Sequence, residues 1–232
     1  MTPMNAVPDR VFLLDVDNTL FDNDRLQADL RHHLTSVLGP EGNQNYWQRY
    51  EDLRSRFGYA DYLGAVQALR QPGRNDLLLP GISRFLLEYP FASAVFDGAL
   101  AAIDNLAHWG RPVILSDGDA VYQPHKIRGA GLATAVEERV FVYVHKQHML
   151  GQIERAQPAR HYVMVDDKLA LLTAVKQAWG ARVTTIFVRQ GHYALDAAGN
   201  ARYPPPDLTL ERIGDLARWQ PDMPTTSLST QA

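Results

Sequence analysis

Short apolar runs separated by amphipathic stretches form the main pattern along this chain. The first run, at positions 11–14, is bounded by polar residues and predicts a strand that is buried on both faces, as in a parallel sheet. Further predicted strands lie at 112–115, 140–144, 162–165, 183–188 and 207–210. From about position 97 onward, these strands alternate with predicted helices. The alternation is typical of a doubly wound parallel α/β sheet with right-handed crossovers.

The stretch that follows the first predicted strand has helical periodicity only. A leucine recurs at every fourth position from Leu26 onward, and Gly39-Pro40 then predicts the end of that helix. More amphipathic segments follow at 46–57, 62–69 and 82–89. We therefore predict an all-helical insertion directly after the first strand.

These patterns divide the chain into three parts. Residues 1–21 and 96–220 are predicted to form the α/β core, and residues 22–95 a helical cap domain inserted into it. The last segment, 221–232, lacks apolar periodicity and is predicted to be a disordered tail.

Composition excludes several classes of protein. The chain has 232 residues, which suffice for one core and a modest insertion, and its net charge of −3 argues against a nucleic acid polymer as partner. No apolar stretch approaches the roughly 18–20 residues that span a bilayer, so we expect no membrane association. The polar N-terminus does not resemble a signal peptide, and a cytoplasmic location is expected. The absence of cysteine excludes disulfides, a cysteine-ligated zinc site and a cysteine nucleophile.

Polar residues follow four of the predicted strands. Asp15 and Asp17 follow the first strand, and ionised carboxylates are costly to bury unless a bound cation or a shared proton compensates them. The other three strands lead into Ser116, Lys146 and the pair Asp166-Asp167. Because the carboxyl ends of parallel strands meet at one edge of a sheet, we expect these side chains to converge. Carboxylates, one hydroxyl and one ammonium suit phosphoryl transfer with a hard divalent cation such as Mg²⁺.

The order Asp-x-Asp-x-Thr, Ser, Lys, Asp-Asp resembles the haloacid dehalogenase superfamily of phosphatases and phosphotransferases. The similarity covers residues 9–22 and 97–217, and it implies a Rossmann-like core with a small helical cap. It further implies that Asp15 is a nucleophile that becomes phosphoaspartate. Asp17 would protonate the leaving oxygen, later activate water, and offer its backbone carbonyl to the metal.

The same resemblance assigns the remaining site residues. It implies phosphate contacts from Thr19, Ser116, Asp117 and Lys146. It implies a Mg²⁺ site formed by Asp15, Asp17, Asp166 and Asp167.

The identity of the phosphate lysine stays open at this stage. The family often has a proline after this lysine, whereas Gln147 follows Lys146 here. Lys126, ten residues after Ser116, is the alternative. It falls on a predicted helix, and we expect it to lie at the surface.

The resemblance implies a Mg²⁺-dependent hydrolase of a small phosphorylated metabolite, acting as a monomer or a dimer. Asp17 argues against a dehalogenase, because dehalogenases of this superfamily lack an acid/base aspartate there. The opening motif and the segment 56–59 are weakly similar to phosphatases of pyrimidine nucleoside 5′-monophosphates, which gives a more specific alternative. The cap residues predicted to select the substrate are Arg49, Arg54 and Arg56.

The same set of residues is compatible with functions other than a phosphatase. A phosphotransferase or a non-catalytic protein that binds a phosphorylated ligand remains an alternative on the same fold. A phospho-acceptor signalling domain would carry its acidic pair first and its acceptor aspartate later, and here that order is reversed.

Overall fold

Six parallel strands form the central sheet of the computed structural model, which describes residues 8–71 and 77–221. The spatial order of the strands is β3-β2-β1-β4-β5-β6. The strands are β1 (Arg10–Leu14), β2 (Arg111–Asp117), β3 (Val140–Tyr143), β4 (His161–Asp166), β5 (Val183–Val188) and β6 (Leu208–Leu210). The doubly wound parallel sheet predicted from the sequence is confirmed. The predicted disordered tail lies, apart from residue 221, outside the described residues.

The central strand β1 determines the position of the first carboxylate of the motif. It pairs with β2 on one side and with β4 on the other, so that Leu14 lies beside Ile114 and Val165. Residues 11–14 are fully buried, as the continuous apolar run predicts. The next residue, Asp15, donates its backbone N–H to Val165 O at 3.0 Å. The first carboxylate of the motif is therefore held at the carboxyl edge of the sheet by backbone pairing.

Helices cover both faces of the sheet and fill the insertion after β1. The insertion holds α1 (Asn23–Phe57), α2 (Tyr62–Ala68) and α3 (Leu79–Leu87). The later helices are α4 (Ala99–Trp109), α5 (Tyr122–Gly129), α6 (Leu132–Ala135), α7 (Leu150–Ala156), α8 (Leu169–Trp179), α9 (Gly191–Leu195) and α10 (Ala197–Asn200). Short 3₁₀ helices span Phe91–Ala94, Lys146–His148, Gly180–Arg182 and Ile213–Arg218. None of the helices in the described ranges combines the length and apolar character needed to cross a bilayer.

The break predicted at Gly39-Pro40 lies inside α1. Gly39 adopts φ 73° and ψ 176°, which no helical residue has, and a second helical segment continues from Pro40. The positive φ is accessible to glycine without a steric penalty, and proline is tolerated at the start of a helix. The bend lets both halves bury residues, including Leu26 and Tyr46, against the same apolar cluster.

The described residues of the insertion share one hydrophobic core with the sheet. Alternate residues of β1 point to opposite faces of the sheet, and Phe12 and Leu14 join one apolar cluster that also contains Leu30 and Ile82 of the insertion. The two connections to the insertion run side by side, since Asp22 N donates to Ala94 O at 2.7 Å and Phe96 N donates to Leu20 O at 2.9 Å. The domain boundaries at 21–22 and 95–96 stay a prediction.

Candidate active site

The polar residues predicted to converge do so at the carboxyl edge of the sheet. Asp15, Ser116, Lys146 and Asp166 are each at most 3% exposed. They come from the ends of β1, β2 and β4 and from the turn after β3. Parallel strand order, and not closeness in sequence, brings them together.

Lys146 links the first carboxylate to the acidic pair. Its Nζ forms an ion pair with Asp15 Oδ1 and lies 2.8 Å from Asp166 Oδ2, and it donates a hydrogen bond to Leu115 O at 3.1 Å. Burial alone would lower the pKa of this lysine. The neighbouring carboxylates of Asp15 and Asp166 outweigh burial and raise its pKa above the ordinary value, so the side chain is an ammonium.

Three buried carboxylates could hold a metal ion. One oxygen from each of Asp15, Asp166 and Asp167 lies within 4.8 Å of the others. Asp167 is fully buried, and neither of its carboxylate oxygens has a hydrogen-bond partner within the described part of the chain. Burial raises the pKa of Asp166 and Asp167, and neighbouring carboxylates, Asp15 among them, add to the rise. An unpartnered buried carboxylate is costly, and three converging oxygens are the donors that Mg²⁺ prefers, so this set fits such an ion.

Lys168 completes the charge pattern around the acidic pair. Its backbone N–H donates to Asp166 Oδ1 at 2.9 Å. Burial works to lower the pKa of its side chain, but the carboxylate of Asp167 and then that of Asp15 raise the pKa overall. Lys168 was not among the site residues predicted from the sequence. Its position directly after Asp167 could have indicated that it lies near the acidic pair.

Asp17 occupies a different environment from Asp15. Its side chain is 28% exposed and faces a cleft, and it does not belong to the cluster of three carboxylates. Lys126 Nζ forms an ion pair with Asp17 Oδ1, and Gln123 Nε2 donates to Asp17 Oδ2 at 3.1 Å. Among the described contacts, the side chain of Asp17 therefore does not reach the metal cluster. A contact between the backbone carbonyl of Asp17 and a metal ion stays a prediction.

The expectation that Lys126 lies at the surface is wrong. Its side chain is completely buried, and Nζ also lies 3.3 Å from Asn23 Oδ1. Helical periodicity indicates a surface lysine by default, but a distant aspartate can compensate a buried ammonium. The helical pattern also gives no indication of the contacts of Gln123, three residues earlier on the same helix, because its partners lie in the loop after β1 and in β2.

Thr19, Ser116 and Asp117, the other residues predicted to contact phosphate, each form a hydrogen bond with another residue of the site. Thr19 Oγ1 donates to Asp15 Oδ2 at 3.2 Å. Ser116 Oγ accepts a hydrogen bond from Gln123 Nε2 at 2.9 Å. Asp117 Oδ1 accepts from the backbone N–H of Lys146 at 2.7 Å, so this carboxylate holds the turn that carries the lysine. A phosphate contact by each stays a prediction.

The turn after Asp17 is fixed by Asn18. This residue has φ 61°, and its Oδ1 accepts hydrogen bonds from the backbone N–H groups of Asn23 and Asp24 at the start of α1. Asn18 also packs against Gly191, where an added Cβ would overlap the asparagine side chain. Gly191 has φ 73°, so both its conformation and this close approach require glycine.

A cleft of about 270 Å³ opens beside Asp17, between the insertion and the core. Its walls include Tyr50, Arg54 and Tyr62 from the insertion, and His192 and Tyr193 from α9. Arg54 Nη2 donates to Tyr193 Oη at 2.6 Å. Other lining residues include Asn18, Asn23, Gln27, Glu51, Tyr59, Asp117, Gly118 and Lys168.

The cap arginines differ in their placement. All three are exposed, but Arg54 lines the cleft, whereas Arg49 and Arg56 are not among its described lining residues. The contribution of α9 was missed, because nothing in its short sequence indicates that the chain returns to the cap there. His192 N and Nδ1 both contact Asp24, at 2.9 and 2.6 Å.

Comparison with known proteins places this arrangement in a family. No protein-family model and no curated protein matches the chain. A candidate haloacid dehalogenase-like hydrolase from Burkholderia xenovorans LB400 is 54% identical, with a TM-score of 0.85 over 91% of this chain and 99% of that one.

Two more distant structures share the fold. The L-2-haloacid dehalogenase from Xanthobacter autotrophicus is 17% identical, with a TM-score of 0.57 over 90% of this chain and 97% of its own. The candidate HAD hydrolase YfnB from Bacillus subtilis, bound to magnesium, is 18% identical, with a TM-score of 0.58 over 89% and 96%. The resemblance inferred from the motifs is thus confirmed, and the chain belongs to the haloacid dehalogenase-like hydrolases.

Proposed function

We propose that this protein is a Mg²⁺-dependent phosphomonoesterase that acts through a phosphoaspartate on a small phosphorylated metabolite. The observation that carries the proposal is the buried carboxylate of Asp167, which has no described hydrogen-bond partner and lies beside Asp15 and Asp166. Displacing a halide from carbon leaves no phosphate dianion to neutralise, so a dehalogenase has less use for such a cluster. A phosphatase has a direct use for it.

Charge balance supports this assignment. Asp15, Asp166 and Asp167 contribute three negative charges, and Lys146 and Lys168 two positive ones, so the set carries −1 when all are ionised. One divalent cation makes it +1, and a phosphate dianion returns it to −1. When bound, Mg²⁺ would supply the positive charge that lets a carboxylate approach a phosphate dianion.

In the first step, a carboxylate oxygen of Asp15 bonds to phosphorus and the bond from phosphorus to the leaving oxygen breaks. Asp17 gives a proton to that oxygen. Lys146, already in contact with Asp15, faces the negative charge that develops on the phosphoryl oxygens. Ser116 Oγ donates to Asp117 O at 3.3 Å and accepts from Gln123, and rotation of the hydroxyl would redirect its proton to a phosphoryl oxygen.

In the second step, Asp17 takes a proton from water and the water oxygen bonds to phosphorus. The bond between Asp15 and phosphorus breaks, which releases phosphate and restores the carboxylate. Covalent catalysis thus divides one slow hydrolysis into two easier reactions.

A nucleoside 5′-monophosphate is the more specific candidate substrate. The cleft beside Asp17 is lined by the tyrosines Tyr50, Tyr59, Tyr62 and Tyr193, together with polar groups. Aromatic faces next to hydrogen-bonding groups suit a planar polar base. Phosphotransfer to another acceptor, or binding without turnover, would use the same cleft and stays an alternative.

The test is hydrolysis of an aryl phosphate with and without metal. EDTA should abolish turnover and Mg²⁺ should restore it, and a panel of phosphorylated metabolites that includes nucleoside monophosphates should then rank the substrates. The same preparation is assayed for chloride release from 2-chloropropionate. Halide release without phosphate release, or phosphate release that EDTA leaves intact, would contradict the proposal.

A further inference from the structure

A completely buried lysine that the proposed phosphatase reaction does not use lies behind Asp17. Lys126 has no exposed side-chain surface, and its hydrogen bonds and ion pairs within the described residues go to Asp17 and Asn23. Its Nζ also lies 5.3 Å from the centre of the Phe21 ring. Burying an ammonium is costly unless it is paired, and the carboxylate of Asp17 is the opposite charge that it meets.

A second residue of the same helix holds the other oxygen of Asp17. Gln123 and Lys126 are three positions apart on α5, so they project from one face of the helix. Lys126 contacts Oδ1 of Asp17, and Gln123 donates to Oδ2 at 3.1 Å. Two side chains of one short helix therefore contact both oxygens of the Asp17 carboxylate and fix its orientation.

Gln123 also connects Asp17 to the residue predicted to bind the phosphoryl group. Its Nε2 has two N–H groups, and they donate to Asp17 Oδ2 and to Ser116 Oγ, the latter at 2.9 Å. Gln123 is only 3% exposed, so water does not compete strongly for these bonds. Asp17 and Ser116 are thus held at a fixed separation.

We propose that Lys126 and Gln123 are positioning residues, which hold the acid/base carboxylate of Asp17 in register with the phosphoryl site. The inference rests on the proposed function, in which Asp17 transfers protons. Each carboxylate oxygen has a second lone pair, so both remain able to face the cleft while these contacts are kept. Lys146 differs in kind, because its partners are Asp15 and Asp166, the reacting and metal-binding carboxylates.

The central experiment is Lys126→Met, which keeps the length of the side chain and removes the ammonium. Alkyl phosphates need the acid, because alkoxides leave poorly, so their kcat should fall on the order of 10²-fold, the usual contribution of general acid–base catalysis. For aryl phosphates, kcat/KM, which reports the phosphorylation step, should fall less than about tenfold, whereas kcat should fall with the water-attack step that both substrate types share. Quenched protein should carry a phosphate adduct, since water attack is slowed. Gln123→Leu should show the same dependence on the leaving group.

The chain offers a matched control and a rescue. Lys176→Met makes the same chemical change where the lysine pairs with Asp207, away from the cleft, and should leave both substrates unaffected. Because the protein has no cysteine, Lys126→Cys can be alkylated in denaturant with 2-bromoethylamine and refolded, which restores an ammonium at that position alone. The alkylated protein should regain at least about tenfold of the lost alkyl-phosphate activity, which would be a substantial part of the acid–base contribution.

Three outcomes would overturn the inference. An equal loss for alkyl and aryl phosphates without a phosphate adduct would make Lys126 a phosphate ligand. An unchanged kcat with a lowered Tm would make it a structural residue only. A Tm loss on Lys126→Met that is the same in the wild-type and Asp17→Asn backgrounds would show that the pair is not formed in solution.

A different result would overturn the proposed function without overturning this inference. A wild-type protein that releases no phosphate from any substrate would overturn the phosphatase assignment. The double-mutant comparison of Tm would still decide whether Lys126 and Asp17 are paired, because it needs no turnover.

Discussion

The Nζ atom of Lys146 forms an ion pair with Asp15, although 131 positions separate the two residues in the chain. The contact exists because Asp15 follows β1 and Lys146 follows β3, and both strands end at the same edge of the sheet. In the proposed reaction, a positive charge at this place neutralises the phosphoryl oxygens in the transition state. Its removal should therefore act on kcat and not on KM alone.

Lys146→Met should lower kcat for aryl phosphates on the order of 10²-fold or more, as loss of other preorganised charge stabilisers does. Lys176→Met is the control, since that lysine pairs with Asp207 outside the cleft. Steady-state kinetics of both variants on one substrate checks the prediction. A rise in KM with unchanged kcat would assign Lys146 to ground-state binding only.

Mg²⁺ should stabilise the folded protein through the cluster of Asp15, Asp166 and Asp167. At a concentration about a hundred times its Kd, the ion should contribute about 2.7 kcal/mol and raise Tm by roughly 5–10 °C. Asp167→Asn should lose most of this rise, because one of three ligands is gone. It should also melt no lower than the wild type without metal, since a buried carboxylate that lacks a described hydrogen-bond partner has been removed.

Thermal denaturation with EDTA and with Mg²⁺ measures both effects without any substrate. Asp104→Asn, an exposed aspartate on α4, is the matched control and should keep the full metal response. An unchanged Mg²⁺ response in Asp167→Asn would place the ion elsewhere.

Arg54 should be the cap arginine that affects substrate choice. It lines the cleft and contacts Tyr193, whereas Arg49 and Arg56, which are likewise exposed to solvent, are not described as lining the cleft. Arg54→Ala should change the ranking of a phosphorylated metabolite panel by kcat/KM. A loss of a charged hydrogen bond to the substrate corresponds to about 1.5–3 kcal/mol, or roughly 10–150-fold for the substrates that use it.

Arg49→Ala and Arg56→Ala provide the controls for charge and helix position. Both variants should rank the phosphorylated metabolites by kcat/KM in the same order as the wild type. The same change of ranking in all three variants would indicate a general electrostatic effect of the cap and no direct contact.

Much of this site was predictable from the sequence, for identifiable reasons. The apolar run before Asp15 indicated a buried central strand, and a parallel sheet then required Ser116, Lys146 and Asp166 to meet it at one edge. The burial of Lys126 against Asp17 and the position of Tyr193 in the cleft were not predictable in this way. A helical pattern does not reveal that a distant aspartate pairs with a lysine, and the approach of α9 to α1 is a consequence of tertiary packing.

Asp207 should contribute to stability in a pH-dependent way. Burial tends to raise the pKa of this carboxyl, but hydrogen bonds from Lys176 and from the backbone and hydroxyl of Thr185 lower it below its ordinary value. A lowered pKa in the folded state gives a contribution that is complete above the unfolded pKa of about 3.9, and that is lost as pH falls through the folded pKa. Asp207→Asn should cost about 1 kcal/mol at neutral pH, a modest value because the pair is partly exposed.

Urea denaturation of wild type and Asp207→Asn at pH 7, 5 and 3 checks this expectation. The difference in the free energy of unfolding should be constant from pH 7 to 5 and smaller at pH 3. A difference that grows on acidification would mean that the pKa of Asp207 is raised in the folded state.

Substitution of each of the two carboxylates of the opening motif should impair a different step of the reaction. Asp15→Asn removes the nucleophile, so no covalent intermediate and no measurable turnover should remain. Asp17→Asn removes proton transfer only. Alkyl phosphates should then hardly react, whereas aryl phosphates can still phosphorylate Asp15, and the intermediate should accumulate because water attack lacks its base.

Intact-mass measurement on rapidly quenched protein, after mixing with an aryl phosphate, distinguishes the two variants. A phosphate adduct should be present in Asp17→Asn and absent from Asp15→Asn. The environments agree with this division, because Asp15 is buried between Lys146 and Thr19, whereas Asp17 is partly exposed to the cleft where a leaving group and water can reach it. Equal and unimpaired rates of Asp17→Asn on alkyl and aryl phosphates would show that Asp17 is not the acid/base, and proton transfer would then have to be assigned to another residue of the cleft.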